Sequence, residues 1–289
     1  MKYYLPLFAI ALLSCNGKSQ EISSHTVKLK LKEASGVEMS SASELIWVLE
    51  DSGNKNSIYG LNSDGKINKT IEIDNAINVD WEDLTSDKAG NLYIGDFGNN
   101  DNARKDLCIY KVDSKDLNQE TVISSSKISF YYPEQTDFPP KKSGLFYDAE
   151  SFFEHNGNFY IFTKNRSKGF DGSVFLYKIP NQTGNHKAVL LGKFQACNIY
   201  KHCAITSAAI SPNGKTIALL SANKVWLLSD FSSDAFLNGK TEELTLPDAT
   251  QKEGICFKDN ETLLIVDEKD KKTGGNQYEF KISDLKSKS

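Results

Sequence analysis

Five stretches of this 289-residue chain repeat one plan. Each opens near an acid or a hydroxyl, runs through a short strand-like segment, turns at polar residues and enters a stronger apolar run. They are "VEMSSASELIWVLEDSGN", "WEDLTSDKAGNLYIGDFGNN", "AESFFEHNGNFYIFTKNR", "TSAAISPNGKTIALLSAN" and "EGICFKDNETLLIVDEKD". A third segment follows each unit ("SIYGLN", "LCIYKVD", "SVFLYKI", "KVWLLS", "QYEFKIS"). A fourth follows only the first four ("KTIEID", "SKISFYY", "AVLLGKF", "EELTLP"). Short apolar runs bounded by Gly, Asn and Asp read as strands, and self-similarity at a regular spacing marks a repeat architecture. The last unit lacks its fourth strand, yet "HTVKLKLK" stands unassigned before the first. Joining the two completes a fifth sheet and hides edges that an open array would expose. That is how a β-propeller closes its ring. The expected fold is all-β: a single propeller of five four-stranded blades over residues 25–289, with no second domain.

The leader "MKYYLPLFAIALLSC" has one cation, Lys2, and an apolar run from Tyr3 to Leu13. That run is too short for a resident spanning helix and reads as a signal peptide over residues 1–14. The ending "LLSC" resembles a bacterial lipobox, which makes Cys15 the lipidation site, acylated with palmitate-like chains, and residues 15–24 a tether. Several acyl chains hold a protein stably on a membrane where one does not. The chain is therefore expected to be exported and lipid-anchored to a bacterial membrane, the outer rather than the inner, with the bilayer as one partner. An ordinary secretion signal with a coincidental Cys is the alternative. Export permits disulfides; Cys197 and Cys203 are spaced to close a short loop, while Cys108 and Cys256 sit in apolar strand patterns as buried thiols. The net charge of -4 and the absence of a basic stripe exclude nucleic acid as a partner. A monomer is expected.

In a propeller, residues that open strand one and close strand two converge on the channel mouth. The openers are Glu38, Glu82, Glu150, Thr206 or Ser207, and Glu253; the closers include Asp51, Asp96, Lys164 and Asp267. Carboxylates aimed at one axis repel and titrate high unless a cation neutralises them. A hard ion with oxygen ligands is the simplest neutraliser, and Ca²⁺ tolerates this irregular set. The alternative is that the acids pair with Lys or with backbone amides between blades. Only two arginines occur, Arg104 and Arg166, both just after strand two. A guanidinium fork grips carboxylate or phosphate in a way Lys cannot, so "TKNR", with Lys164, is a candidate anion subsite; otherwise Arg104 clamps Asp96 or Asp101. The three tryptophans read as blade core, Trp81 being set apart by the acids around it. His202, near a strand-one start, is a weak general-base candidate. The insertions "YYPEQTDFPPKKSGLFY" and "QACNIYKHCAIT" are expected to form a rim, with Tyr131, Tyr132, Phe138 and Tyr147 supplying aromatic surface. No GxSxG elbow, HExxH pair, P-loop or dinucleotide fingerprint is present.

Over most of its mature length the pattern resembles bacterial exported propeller lipoproteins with "DWED…GN-YIGD-GNN…R" and "DAE" signatures. More distantly, "GVEMSSASELIWVLEDSG", "WEDLTSDKAGNLYIGD", "DAESFFEHNGNFYIFTKNR" and "KEGICF" resemble the calcium-activated nucleotidase (apyrase) family of five-bladed propellers. There, Glu and Ser residues of the inner strands, about one per blade, surround an axial Ca²⁺. The resemblance implies Glu82, Glu150 and Glu253 as ligands, with Thr206 or Ser207 in the hydroxyl role. Glu38 stands where that family uses Ser, and "TKNR" replaces its double-Arg run. The expectation is a membrane-anchored propeller with an axial calcium site that hydrolyses a phosphoester or other ester. Asp96 or Asp83 would be the base, and Arg104 and Arg166 would hold the anion. A non-catalytic surface or periplasmic propeller, with a structural ion and a small-molecule, glycan or protein ligand at its mouth, is the competing class. A lactonase-like propeller is a third, and it predicts six blades.

Overall fold

A computed structural model describes residues 24–287. The expected signal peptide, Cys15 and the tether as far as residue 23 lie outside the described residues. Blade 1 runs from the inner strand Ala34–Met39 through Ile46–Glu50 and Ser57–Leu61 to Ile67–Ile73. Blade 2 is Trp81–Ser86, Leu92–Asp96, Cys108–Val112 and Ser126–Tyr131. Blade 3 is Asp148–His155, Asn158–Lys164, Ser173–Pro180 and Val189–Gln195. Blade 4 is Ser207–Ile210, Ile217–Ser221, Lys224–Ser229 and Lys240–Thr245. Blade 5 is Lys252–Phe257, Thr262–Asp267 and Asn276–Lys281, completed by Ser24–Lys28, which pairs antiparallel from Ser24 opposite Phe280 to Lys28 opposite Asn276. Inner strands touch in cyclic order from blade 1 through blade 5 and back to blade 1. The expected five-bladed ring, closed by the N-terminal strand, is the observed one. Six blades, the mark of the lactonase-like alternative, are not found.

Each blade packs face to face on the next, so the core divides into five apolar layers, one per interface. Inner strands are covered on both faces and lose the alternation of a half-buried strand; Leu92–Asp96 is buried throughout. Outer strands such as Ile67–Ile73 alternate exposed with buried toward their ends. Trp47 and Trp81 lie in the layer between blades 1 and 2, and Trp226 in that between blades 3 and 4. Trp81 is fully enclosed, its Nε1 donating to Ile77 O at 3.2 Å, so the acids around it do not make it a ligand stack.

Three outer edges carry a fifth strand absent from the repeat. Thr121–Val122 lies parallel to Ile67–Ile73, Gly184–Lys187 parallel to Ser126–Tyr131, and Lys286–Ser287 antiparallel to Lys240–Thr245. Each is lent by the blade that follows, and each covers donors and acceptors of an otherwise open edge. Cys197 and Cys203 are joined, while Cys108 and Cys256 are buried free thiols. The expected aromatic residues come together in part: Tyr131, Tyr132 and Phe138 line one cavity with Arg104, and Tyr147, next to the mouth acid Asp148, packs on Tyr132 with ring centroids 5.6 Å apart. Among the described residues no helix is long and apolar enough to cross a membrane.

An acidic channel mouth as the candidate metal centre

Four inner strands enter their ladder with the same irregularity. One extra residue is inserted between Ala34 and Val37, between Trp81 and Asp83, between Ala149 and Ser151, and between Lys252 and Gly254. A bulge leaves a residue out of the pairing and re-aims its side chain. In blades 2, 3 and 5 that residue is Glu82, Glu150 or Glu253. In blade 4 Thr206 precedes the paired Ser207, and in blade 1 the bulge holds Ser35 and Gly36. The hydroxyls at this level tie blades together: Ser35 Oγ donates to Glu82 O, and Thr206 Oγ1 to Lys252 O at 2.7 Å.

Glu38 is not part of this ring. It lies three residues beyond Ser35, roughly 10 Å down the channel at about 3.3 Å per residue, near the far end of its strand. There its carboxyl accepts Met39 N at 2.7 Å and Ser86 N at 3.1 Å. The position facing Glu82 and Glu150 in blade 1 belongs to Ser35, the residue type that the nucleotidase resemblance implied. Ser207 also lies one level below the mouth, its Oγ donating to Asp83 Oδ2 at 3.0 Å and accepting Ile255 N at 3.1 Å.

Around Glu82 the chain gathers further acids. Carboxylate oxygens of Asp51, Asp80 and Glu82 lie within 4.8 Å of one another. Burial, then Glu150, Asp51, Asp148 and Asp80, push the Glu82 carboxyl well above the usual range. Burial and the nearby Asp51 raise Asp80 to about 6, and burial raises Asp51. Next to this triad Asp148 is raised to about 7 by burial and by Glu150, against Arg166 and Lys164. Across the mouth burial raises Glu253 to about 8, against Lys164. Burial, with Asp51 and Glu33, raises Glu268 to about 7.

The mouth's cations are already committed. Lys164 and Arg166 both pair with Glu150, and Arg166 also pairs with Asp148 and donates to Tyr200 Oη at 3.2 Å. Arg104 holds Asp96 Oδ1 at 2.9 Å, Gly98 O at 2.9 Å and Asp106 Oδ1 at 3.1 Å. Both arginines thus clamp carboxylates and stiffen loops, so neither offers a free fork to an anion. Asp51, Asp80 and Glu82 are left without an ion-pair partner among the described residues. Asp96 is enclosed, accepting from Arg104 and from Asp80 N at 3.1 Å. Asp267 is likewise internal, accepting Asn276 N at 2.7 Å and Tyr278 Oη at 2.7 Å.

Asp83 corrects a second expectation. It is wholly buried below the mouth, where it accepts Leu84 N at 2.9 Å, Phe152 N at 3.3 Å and the Ser207 hydroxyl, donors from blades 2, 3 and 4. With both oxygens occupied and no solvent exposure, it staples blades rather than serving as a base. His202, in the short helix Tyr200–Cys203, has its Nδ1 buried without a hydrogen-bond partner and does not join the acids.

Oxygens that bind one Ca²⁺ at about 2.3–2.6 Å lie at most about 5 Å apart, and the triad meets that limit with an all-oxygen donor set. Gly98 backs it: a Cβ there would collide with the carboxyls of Glu82 and Asp80. The residues present therefore fit a hard divalent cation. Asp80, Asp148 and Glu268 were not assigned roles from sequence. The signal for the first two was the spacing acid-x-Glu, which "DWE" and "DAE" share.

The fold and mouth define a five-bladed propeller with a buried acidic cluster. No protein-family model and no curated protein matches the chain. Its structural likenesses include virginiamycin B lyase from Staphylococcus aureus (15% identity, TM-score 0.41, covering 86% of this chain and 66% of that one). Hydrazine synthase from Kuenenia stuttgartiensis (14%, TM-score 0.44, 83% and 75%) is another. A third is the Cps50 (Swd1) β-propeller domain of Myceliophteria thermophila (8%, TM-score 0.44, 88% and 98%). The chain spans about two thirds of the lyase's length. At these identities and scores the likenesses speak only of propeller architecture, and none carries an activity to this chain.

Proposed function

We propose that this chain is an exported, lipid-anchored propeller whose channel mouth binds a divalent cation, calcium by its ligand chemistry, and presents that ion to a ligand. The observation that carries the reading is the approach of Asp51, Asp80 and Glu82 within 4.8 Å, raised in pKa and with no cationic side chain paired to them. Like charges held this close are costly unless something positive joins them. Lys164 and Arg166 supply that positive charge to Glu150, on the neighbouring blade, and a bound ion would supply it to the triad. The anchor through Cys15 rests on the "LLSC" motif alone.

The test is calcium titration of the soluble domain by calorimetry and by melting temperature, on the parent and on Glu82→Gln. The parent is expected to bind and to melt higher with calcium. Glu82→Gln is expected to lose most of that gain and, in chelator, to melt above the parent, because a neutral amide replaces a carboxyl that burial and neighbouring acids force to hold its proton. Heat-neutral titration of the parent, with equal melting in calcium and EDTA, would rule the site out.

A hydrolytic reading is favoured by one feature. Glu253 and Glu268, at about 8 and 7, border a cavity of about 480 Å³ that Lys164, Tyr200 and Thr206 also line. Carboxyls that titrate near neutrality are suited to proton transfer, and a bound cation supplies Lewis-acid polarisation of an ester or phosphoryl oxygen. Turnover of nucleotides, phosphodiesters or lactones that depends on calcium and fails in Glu253→Gln would establish it. Calcium binding without turnover would leave the binding reading standing.

A further inference from the structure

We propose that the end of the channel opposite the acidic mouth is a second binding site, for a small neutral polyhydroxylated ligand of mono- or disaccharide size. The inner-strand ends and first hairpin turns of all five blades enclose a cavity there of about 440 Å³, within the usual range for small-molecule sites. Blade 1 contributes Glu38 and Ser41, blade 2 Ser86, blade 3 Asn156, blade 4 Ile210 and blade 5 Phe257.

The hydroxyls of this cavity fall into two sets. Ser40 Oγ donates to Gly90 O at 2.6 Å and Ser211 Oγ to Asn213 Oδ1 at 2.8 Å, so both are spent on their turns. Ser41 Oγ and Ser86 Oγ reach only carbonyls at 3.5 Å and 3.4 Å. Hydroxyl hydrogen bonds normally span about 2.5–3.0 Å, so these two are free to turn toward a ligand. Glu38 Oε1 accepts Met39 N, Oε2 accepts Ser86 N, and the Thr85 hydroxyl also hydrogen-bonds this carboxyl, which leaves one lone-pair direction of the carboxyl for a ligand.

The charges here favour an uncharged ligand. Burial pushes the Glu38 carboxyl up to about 8, which keeps it protonated at neutral pH. Burial and the nearby Lys88 lower His155, which keeps the imidazole neutral. Lys258 pairs with Glu279 at 2.8 Å, and Asp87 is saturated by Ala89 N, Asn91 N and the Tyr93 hydroxyl. Lys88 reaches Asn156 at 3.4 Å and is opposed by the Glu154 carboxyl, which accepts Gly157 N at 2.6 Å and is raised by burial against Lys88, so the cavity's cation already has its counter-charge. Met39, Ile210 and Phe257 add apolar carbon to the lining. Polar donors and acceptors mixed with apolar carbon suit a sugar ring, which has hydroxyl edges and C–H faces.

The test is saturation-transfer NMR and calorimetry of the soluble domain with D-glucose, D-galactose, N-acetylglucosamine, maltose and lactose, and with glucuronate and glucosamine as charged comparators. Ser41→Trp places a bulky ring in the cavity from an exposed turn position, so the fold should survive; circular dichroism and melting temperature check that. At least one neutral sugar is expected to bind saturably in calcium and in EDTA alike, and Ser41→Trp is expected to weaken it by at least about tenfold. Any of three results would overturn the proposal: no saturable binding by the neutral sugars, an affinity that Ser41→Trp leaves unchanged, or preference for a charged comparator over its neutral parent.

Discussion

Glu82 and Asp83 are adjacent in sequence and opposite in circumstance. The bulge turns Glu82 toward the mouth among other acids, while Asp83 faces inward onto donors from three blades. A buried carboxylate so satisfied is held by its partners, and removing it orphans each of them. Asp83→Ala should therefore cost about 3 kcal/mol or more, seen as a fall in urea midpoint and in melting temperature; a loss below about 1 kcal/mol would contradict the stapling role. Gly98 makes the complementary case. Its missing side chain is the space that the Glu82 and Asp80 carboxyls occupy, so Gly98→Ala should spread them and weaken calcium at least about tenfold. Unchanged calorimetric affinity would show that the triad does not need that space.

At the scale of elements, strands were legible where their residues pack and illegible where only their backbone pairs. "NLYIGD" and "TLLIVD" declare themselves because both faces are covered by neighbouring blades. Gly184–Lys187 carries no apolar signal, since it contributes hydrogen bonds to an edge and little burial, and Thr121–Val122 is too short to show a period although Val122 joins the layer between blades 1 and 2. Registration failed for a related reason. In "ASGVEM" the bulge falls on Ser-Gly, which leaves no acid to align, and Glu38 takes the eye three residues too late. The same ambiguity hid Asp148 behind Glu150, although the mouth needs both to hold Arg166. The Cys197–Cys203 link was legible from spacing, and it holds the short helix whose Tyr200 meets Arg166. Closing so short a loop stabilises by about 2 kcal/mol in the chain-entropy view. Replacing both cysteines with serine should lower the melting temperature by roughly 4–8 °C and leave dithiothreitol without further effect; a parent insensitive to reduction would show that the link contributes little.

For the whole molecule, the acids of the two channel ends set how stability follows pH. Burial, with like charges beside Asp80, Asp148, Glu253 and Glu268, puts folded pKa values at about 6 for Asp80, about 7 for Asp148 and Glu268, and about 8 for Glu253 and Glu38. Between the ordinary carboxyl range and these values the folded state holds more protons than the unfolded chain, so stability falls as pH rises. The loss is absent below about pH 4 and complete above about pH 8. Surface carboxylates paired with cations act the other way: Asp106, Asp113 and Asp234 are lowered, and what they contribute is lost as pH falls through their folded values. Exposed pairs of this kind contribute little, so the buried acids should dominate, and the chelated protein should be most stable near about pH 4. A cation bound at the mouth would hold the carboxylates deprotonated and so reverse the sign for the triad. Melting temperatures from about pH 5 to 8 should thus fall in EDTA and stay level or rise in calcium. A rise in EDTA would contradict the buried-acid account, and superimposable curves would remove the cation from the mouth.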